Sequence, residues 1–209
     1  MTTVTLAPER TLSVRDAAEQ RRSIRAYTSE PVPRAELNEI LRQTSLAPSA
    51  WNLQPWRFVV VEDAETRRAL AAAAYGQKQV SGAPAVIVLY TDMAGTLANL
   101  DDVVRPETDP ESRAQAQARI RGAFEKQSEA EREAWGASQG YIALGYLLLA
   151  AEARGYATSP MLGFDPEAVK RLLGLPAHVR IPAIVSIGRG AEDGLPHHRH
   201  DVGRIARWV

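Results

Sequence analysis

The chain contains no cysteine. That excludes disulfides, thiolate zinc sites, iron–sulfur clusters and a cysteine nucleophile together. It also suits a reducing compartment. Excess charge is absent too, because 25 basic residues balance 25 acidic ones. A dedicated nucleic-acid binder usually carries a basic surplus, so no DNA or RNA partner is expected. Long apolar runs are missing. The longest, Tyr141 to Ala151, falls well short of the ~20 residues that span a bilayer. The opening MTTVTLAPERTLSV lacks the charged-then-apolar layout of a signal peptide. These absences predict a soluble, cytoplasmic protein with no membrane partner. The common fingerprints are absent as well. There is no G-x-G-x-x-G, no G-x-x-x-x-G-K-[ST] and no G-x-S-x-G.

What is present fits one domain over residues 1–209, with an N-terminal arm at 1–12 and a charged excursion at 95–133. A chain of this length buries a large core without metal or disulfide help. SVRDAAEQRRSIRAY predicts a helix from Val14 with Ser13 as N-cap, ended by TSEPVP. PRAELNEILRQTSLAP predicts a second helix with Leu37, Ile40 and Leu41 on one face. PSAWNLQPW reads as a loop, RFVVVE as a strand, AETRRALAAAAYG as a helix and PAVIVLYTD as a buried central strand. Residues 105–133 are charged, with few large apolar side chains. They read as a solvated helical excursion or as a lid. From Ala134 a long helix is apolar nearly all round and needs burial on several sides. A subunit interface would supply it, with Gly140 and Gly145 admitting another backbone. DPEAVKRLLGL is a helix with Asp165 as N-cap and Pro166 at its first position. PAIVSIG is a further strand, followed by a tail rich in His and Arg.

The search for chemistry is mostly negative. His197, His198 and His200 cluster, but alternation splits them between two sides and no carboxylate lies among them. His197 and Arg199 share a side, which suits an anion better than a metal. The adjacent carboxylates Glu62–Asp63 and Asp101–Asp102 sit beside turns and read as solvated surface. His178 has no visible nucleophile partner. The sharpest feature is RRSIR, Arg21 to Arg25, three arginines in five positions on a neutral protein. A compact anion such as a phosphate accounts for it. So does a helix end placing positive charge on its dipole.

Taken in order, RRSIRAYTSEPVPRAELNEIL, APSAWNLQPWRFVVV, YGQKQVSGAP, SPMLGFDP and LPHHR resemble the nitroreductase family of FMN-dependent oxidoreductases, from about Arg21 to Arg199. The resemblance implies an α+β fold, a mixed sheet flanked by helices, in an interlocked homodimer. Two FMN sites would lie at the interface, each built from both chains. By resemblance Arg21 and Ser23 hold the FMN phosphate, Arg25 reaches the flavin and ribityl side, and Arg22, between them, is counted with the cofactor-binding residues. His197 and Arg199 take the place of the family's C-terminal basic pair. Pro48, Ser49, Ala50 and Asn52 match a segment from the other subunit that covers the flavin. Trp51 either leans over the flavin or packs in the interface. Gln77 and Gln79 are candidates for the pyrimidine edge. Backbone N–H groups of Leu162 and Gly163 fall near flavin N5.

The resemblance implies ping-pong chemistry. NADH or NADPH reduces the flavin at N5, and a small acceptor such as a nitroaromatic or quinone then takes the electrons. The cofactor carries the reaction, which explains why no acid, base or nucleophile stands out. Phe124 is a candidate for the acceptor pocket. Two alternatives remain open at this point. One is a specialised reductase, dehalogenase or FMN-consuming enzyme on the same fold. The other is a flavin carrier or sensor without significant turnover.

Overall fold

The computed structural model describes residues 11–209. Most of the expected N-terminal arm, residues 1–10, lies outside the described residues. Helix α1 spans Val14–Gln20 and α2 spans Arg34–Thr44. Strand β1 is Trp56–Val61, followed by α3 (Ala64–Ala73), α4 (Lys78–Gly82) and β2 (Ala85–Thr91). Then come α5 (Met93–Ala98), α6 (Pro110–Phe124) and α7 (Glu129–Ala153). Strand β3 is Ala157–Met161, α8 is Pro166–Leu173, β4 is Arg180–Gly188 and α9 is Val202–Ile205.

The strands form one sheet in the order β1-β2-β4-β3, with every neighbouring pair antiparallel. The mixed character expected of the sheet reduces to one isolated parallel bridge, Ser23 to Thr158, at the β3 edge. Strand alternation sorts β2 onto two layers. Ile87 and Leu89 face Leu37, Ile40, Leu144 and Leu147, so α2 and α7 cover that side. Val86 and Val88 face Leu70, Val80 and Val169, so α3, α4 and α8 cover the other. β2 is buried along nearly its whole length, which is why its sequence is an unbroken apolar run.

Two caps read from the sequence are present. The Ser13 hydroxyl accepts the Asp16 N–H at 3.1 Å. Asp165 accepts the N–H groups of Glu167 and Ala168 at 2.9 and 3.1 Å. The first helix is shorter than expected, however. It stops at Gln20, and residues 21–27 run extended. The cause is tertiary. Ile24 N–H donates to the Thr158 carbonyl at 3.1 Å, and Tyr27 bridges Gly190 antiparallel. Pairing with the sheet edge overrides a sequence that could have stayed helical.

Helix α7 begins at Glu129, behind a capping box formed by Ser128 and Glu131. Gly140 does admit a close approach, but of side chains of the same chain rather than of another backbone. A Cβ there would lie 2.8 Å from both Pro182 and Thr91. Gly145 faces open space. The charged excursion shares a separate core with the loop before β1 and the start of α5. Leu53, Met93, Leu100, Val103, Ile120 and Phe124 bury one another beneath α5 and α6.

Candidate functional site

The cationic segment sits where the chain leaves α1. Arg21 caps that helix, donating its N–H to the Ala17 carbonyl at 2.9 Å. Its guanidinium is partly buried, and Nη1 has no hydrogen-bond partner among the described residues. Burial pushes the Arg21 pKa down. Glu152 opposes that shift, and the cations Arg199 and Arg22 reinforce it. That idle donor on a partly buried, crowded guanidinium can take an anionic oxygen.

Arg22 has a different task. Its Nη1 lies 2.7, 2.9 and 3.0 Å from the carbonyl oxygens of Glu19, Gln20 and Arg21. It therefore satisfies the open C-terminal end of α1. Ser23 lies in the extended bridge to Thr158, whose own buried hydroxyl has no partner among the described residues. Arg25 is exposed, and its backbone N–H donates to Glu192 Oε1 at 2.6 Å.

The C-terminal tail completes the cluster. Ala191 N–H donates to the Ala26 carbonyl at 3.0 Å, so the tail starts alongside residues 24–27. Gly194 then presses on the segment so closely that a Cβ would overlap the Arg22 Cβ and stand 2.9 Å from Ile24 Cδ1. His197 follows, with Nε2 at 2.7 Å from the Arg21 carbonyl and 2.9 Å from Arg22 Nη1. One ring nitrogen cannot donate to the first and accept from the second at once. Arg22 already has carbonyl acceptors, so Nε2–H donating to Arg21 leaves every group satisfied. Arg199 stands close enough to Arg21 for their charges to interact.

A second group forms at the end of β3. Gln77 Nε2 donates to the Gly163 carbonyl at 2.7 Å, and Gln79 Nε2 donates to Gln77 Oε1 at 3.1 Å. Gln79 is buried and Leu162 is exposed. This joins the two amides to the Leu162–Gly163 turn, four residues the sequence separates widely. The left-handed pair Tyr75–Gly76, φ +56° and +73°, turns the chain toward them.

The Pro48–Asn52 loop makes its contacts elsewhere. Ala50 N–H donates to Gln139 Oε1 at 3.0 Å, and Asn52 Nδ2 donates to the Val103 carbonyl at 3.1 Å. The Ser49 hydroxyl accepts the Gln54 N–H at 2.9 Å. Trp51 rests on Phe124 and Trp135. Phe124 is only 2% exposed, so it does not line an open pocket in this chain. Trp51 covers it instead. The loop is thus tied to α7 and the excursion, whereas Arg21 is tied to α1 and the tail.

Sequence reading missed a buried carboxylate. Glu133 accepts the N–H groups of Met93 and Ala94, at 3.1 and 2.9 Å, and is 1% exposed. Burial raises its pKa, and those two N–H groups work against the rise. Asp92 beside it accepts from Gly95 N–H and contacts His178 Nε2 at 3.0 Å. Among the described residues Asp92, Glu133 and His178 are the one trio spaced closely enough for a metal. Both Glu133 oxygens and one oxygen of Asp92 are engaged at the start of α5, so the trio serves to anchor that helix. No local pattern marks Glu133 within its charged run.

Comparison with known proteins identifies the family. The model of the nitroreductase family matches residues 18–189. A Thermus thermophilus protein named NADH dehydrogenase is 51% identical over 94% of this chain and 96% of its own. A Bacillus subtilis protein assigned as the NAD(P)H nitroreductase YdgI is 32% identical over 90% and 93%. Among solved structures, a protein from Exiguobacterium sibiricum assigned as a nitroreductase and crystallised in complex with FMN superimposes with a TM-score of 0.86. It is 27% identical, over 97% of this chain and 100% of that one. The chain belongs to the nitroreductase family.

Proposed function

We propose that this chain is an FMN-dependent NAD(P)H oxidoreductase that works as a homodimer and reduces a small acceptor such as a nitroaromatic or quinone. The observation that carries the reading is the Arg21 guanidinium, partly buried beside Arg22 and Arg199 with Nη1 unpaired. A phosphate monoester supplies the missing anion, and its oxygens match a guanidinium fork. The residues present therefore fit the phosphate end of FMN. Arg21 and Arg199 would hold it, with Ser23 alongside, and His197 fixes the backbone between Arg21 and the tail. The Gln77–Gln79 pair offers neutral amide donors and acceptors for the pyrimidine edge. The exposed turn at Leu162–Gly163 offers backbone N–H groups to the ring. When bound, FMN supplies hydride transfer between the nicotinamide and the acceptor. The protein's part is to bind, orient and leave one ring face open.

Two features support the dimer. Tyr141, Ile142 and Tyr146 on α7, and Val202, Ile205 and Trp208 in the tail, are exposed apolar side chains. Val14, Leu46, Tyr146 and Leu149 also line an apolar cavity of about 480 Å³ between α1, α2 and α7. Such surfaces suit a partner chain. The Pro48–Asn52 loop faces away from the chain's own cationic cluster in its contacts. A second copy would bring loop and cluster over one flavin.

The deciding experiment is an anaerobic visible titration of the purified protein with FMN, followed by NADPH and then NADH. Bleaching of bound FMN is expected, and the faster donor identifies the nicotinamide. Bound FMN that neither donor bleaches would leave a carrier or another reductant. A protein that takes up no FMN would end the proposal.

A further inference from the structure

The last turn of α7 carries a carboxylate, Glu152, that the proposed chemistry does not use. Glu152 is half-buried and lines a cavity of about 420 Å³ with Gln20, Glu36, Arg154 and Arg189. The two cations of that cavity are committed to other partners. Arg154 forms a bidentate pair with Glu36 of α2 at 2.7 and 2.8 Å. Arg189, after β4, donates to the Gly155 carbonyl at 2.8 Å and stands over the Tyr156 ring at 4.3 Å. The Glu152 carboxylate accepts no hydrogen bond among the described residues. Its charge is met through space, by Arg21 first and Arg22 second. The tail adds Arg199 beside Arg21, and His197 at 2.9 Å from Arg22 Nη1.

Arg21 and Glu152 are therefore an ion pair that attracts without closing. Nη1 of Arg21 is buried and idle, and the carboxylate opposite is unbonded. A closed pair would leave no donor for an incoming anion. With no carboxylate, Arg21, Arg22 and Arg199 would repel one another around a partly buried site with nothing to balance them. We infer that Glu152 is a resident counter-anion of the arginine cluster, a positioning residue that balances Arg21 in the empty protein and yields it to the cofactor's phosphate. This rests on the reading of the cluster as the FMN phosphate site. A phosphate dianion arriving beside Arg21 adds like charge near Glu152, which favours the protonated carboxyl. Burial already lifts that carboxyl above its ordinary range, against the pull of the two arginines. FMN uptake is then linked to proton uptake at Glu152. Affinity falls as pH rises through the raised pKa, and levels off once the carboxylate is charged with and without FMN.

The test measures the Kd of FMN and of riboflavin by flavin fluorescence titration, for wild type and Glu152→Gln. The range runs from about pH 5, just above the ordinary Glu pKa, to about pH 8. The readout is the ratio of wild-type to variant Kd, because ionisation of the phosphate or of the tail histidines is common to both proteins. Near pH 8, Glu152→Gln should bind FMN about 5-fold more tightly than wild type. The ratio should fall toward one as the pH approaches 5. Riboflavin has no phosphate and should bind both proteins alike. Glu152→Ala should follow Glu152→Gln, and Glu152→Asp should keep the pH dependence of the wild type. A ratio of one throughout, or an offset that pH does not change, overturns the counter-anion role, as does an equal effect on riboflavin. A wild-type chain that takes up no FMN ends the phosphate reading and this inference with it, whereas a chain that binds FMN with a flat ratio ends the inference alone.

Discussion

Replacing Arg21 with Met should have opposite consequences with and without cofactor. In the chain alone, Arg21, itself only partly buried, brings a buried Nη1 without a partner. An unsatisfied buried donor costs about 1–3 kcal/mol, nearer the lower figure where solvent still reaches the group. Met keeps the apolar stem and removes that cost. Glu152 sets the opposing effect. Burial raises the pKa of its carboxyl, and Arg21 and then Arg22 counter the rise. Losing Arg21 strips Glu152 of its main counter-charge, again about 1 kcal/mol for a partly exposed pair. The two effects offset, so Arg21→Met should leave the melting temperature of the FMN-free protein nearly unchanged. Arg21→Met combined with Glu152→Gln should raise it.

The FMN-bound protein should behave otherwise. One charge-assisted bond to phosphate is worth about 1.5–3 kcal/mol, or roughly a 10- to 150-fold weaker Kd. Saturating FMN stabilises the wild type by about 2.7 kcal/mol at 100 times Kd. At the same FMN concentration the variant should lose from about half to nearly all of that gain. The assay is thermal denaturation with and without FMN, alongside flavin fluorescence titration. A variant that melts several degrees lower without FMN, yet binds FMN normally, would show Arg21 to be a structural residue and refute the reasoning.

Three further outcomes follow from named contacts. Gly194→Ala places a Cβ on Arg22, whose guanidinium is held by α1 carbonyls, so the tail must shift. FMN affinity should fall, with little further loss once Arg199→Ala is present, as double-cycle titration would reveal. The hydroxyl of Tyr27 donates to the Ile24 carbonyl at 2.6 Å and lies 2.7 Å from Ser186 Oγ, and burial pushes its pKa up to about 12. Its folded pKa exceeds the unfolded value near 10, so its contribution is fully present below pH 10 and is lost as pH climbs toward 12. Denaturant melts should show about 3 kcal/mol of alkaline destabilisation that Tyr27→Phe removes. Glu133→Gln replaces one of the two carboxylate oxygens that accept N–H groups of Met93 and Ala94 with an amide that cannot accept. Chemical denaturation should register a loss of about 2–3 kcal/mol, and an unchanged midpoint would contradict the anchoring role given to that carboxylate.

The parts of the fold legible in the sequence are those decided locally. Ser13, Asp165 and Pro166 mark helix starts because a cap needs only its own next turn. The run in β2 shows burial on both faces because each residue meets a covered layer. What escaped depends on distant partners. Nothing in AWNLQ announces left-handed Trp51, Asn52 and Gln54, since the groups that hold them come from positions 103, 124, 135 and 139. Glu133 looks like its charged neighbours, and only the start of α5 distinguishes it. The excursion did carry one overlooked signal. Ile120 and Phe124 are four apart on α6 and both buried, the spacing of a helical apolar stripe.

The arginine cluster shows why the local misreading matters for the site. In a helix, positions 21 and 25 would share a face and 23 would point away. In an extended segment, 21, 23 and 25 share one side and 22 and 24 the other. Contacts with the tail follow the extended alternation, because Gly194 packs against both Arg22 and Ile24. Ile24 is buried, 7% exposed, and Arg22 turns to the carbonyls of α1. Arg21, Ser23 and Arg25 are then left for the opposite side. The same five residues would scatter their polar groups if α1 continued through them. Sheet-edge pairing at Thr158 and Gly190 therefore does more than end a helix. It sets the phase of the side chains, and a phosphate cradle on this segment requires that phase.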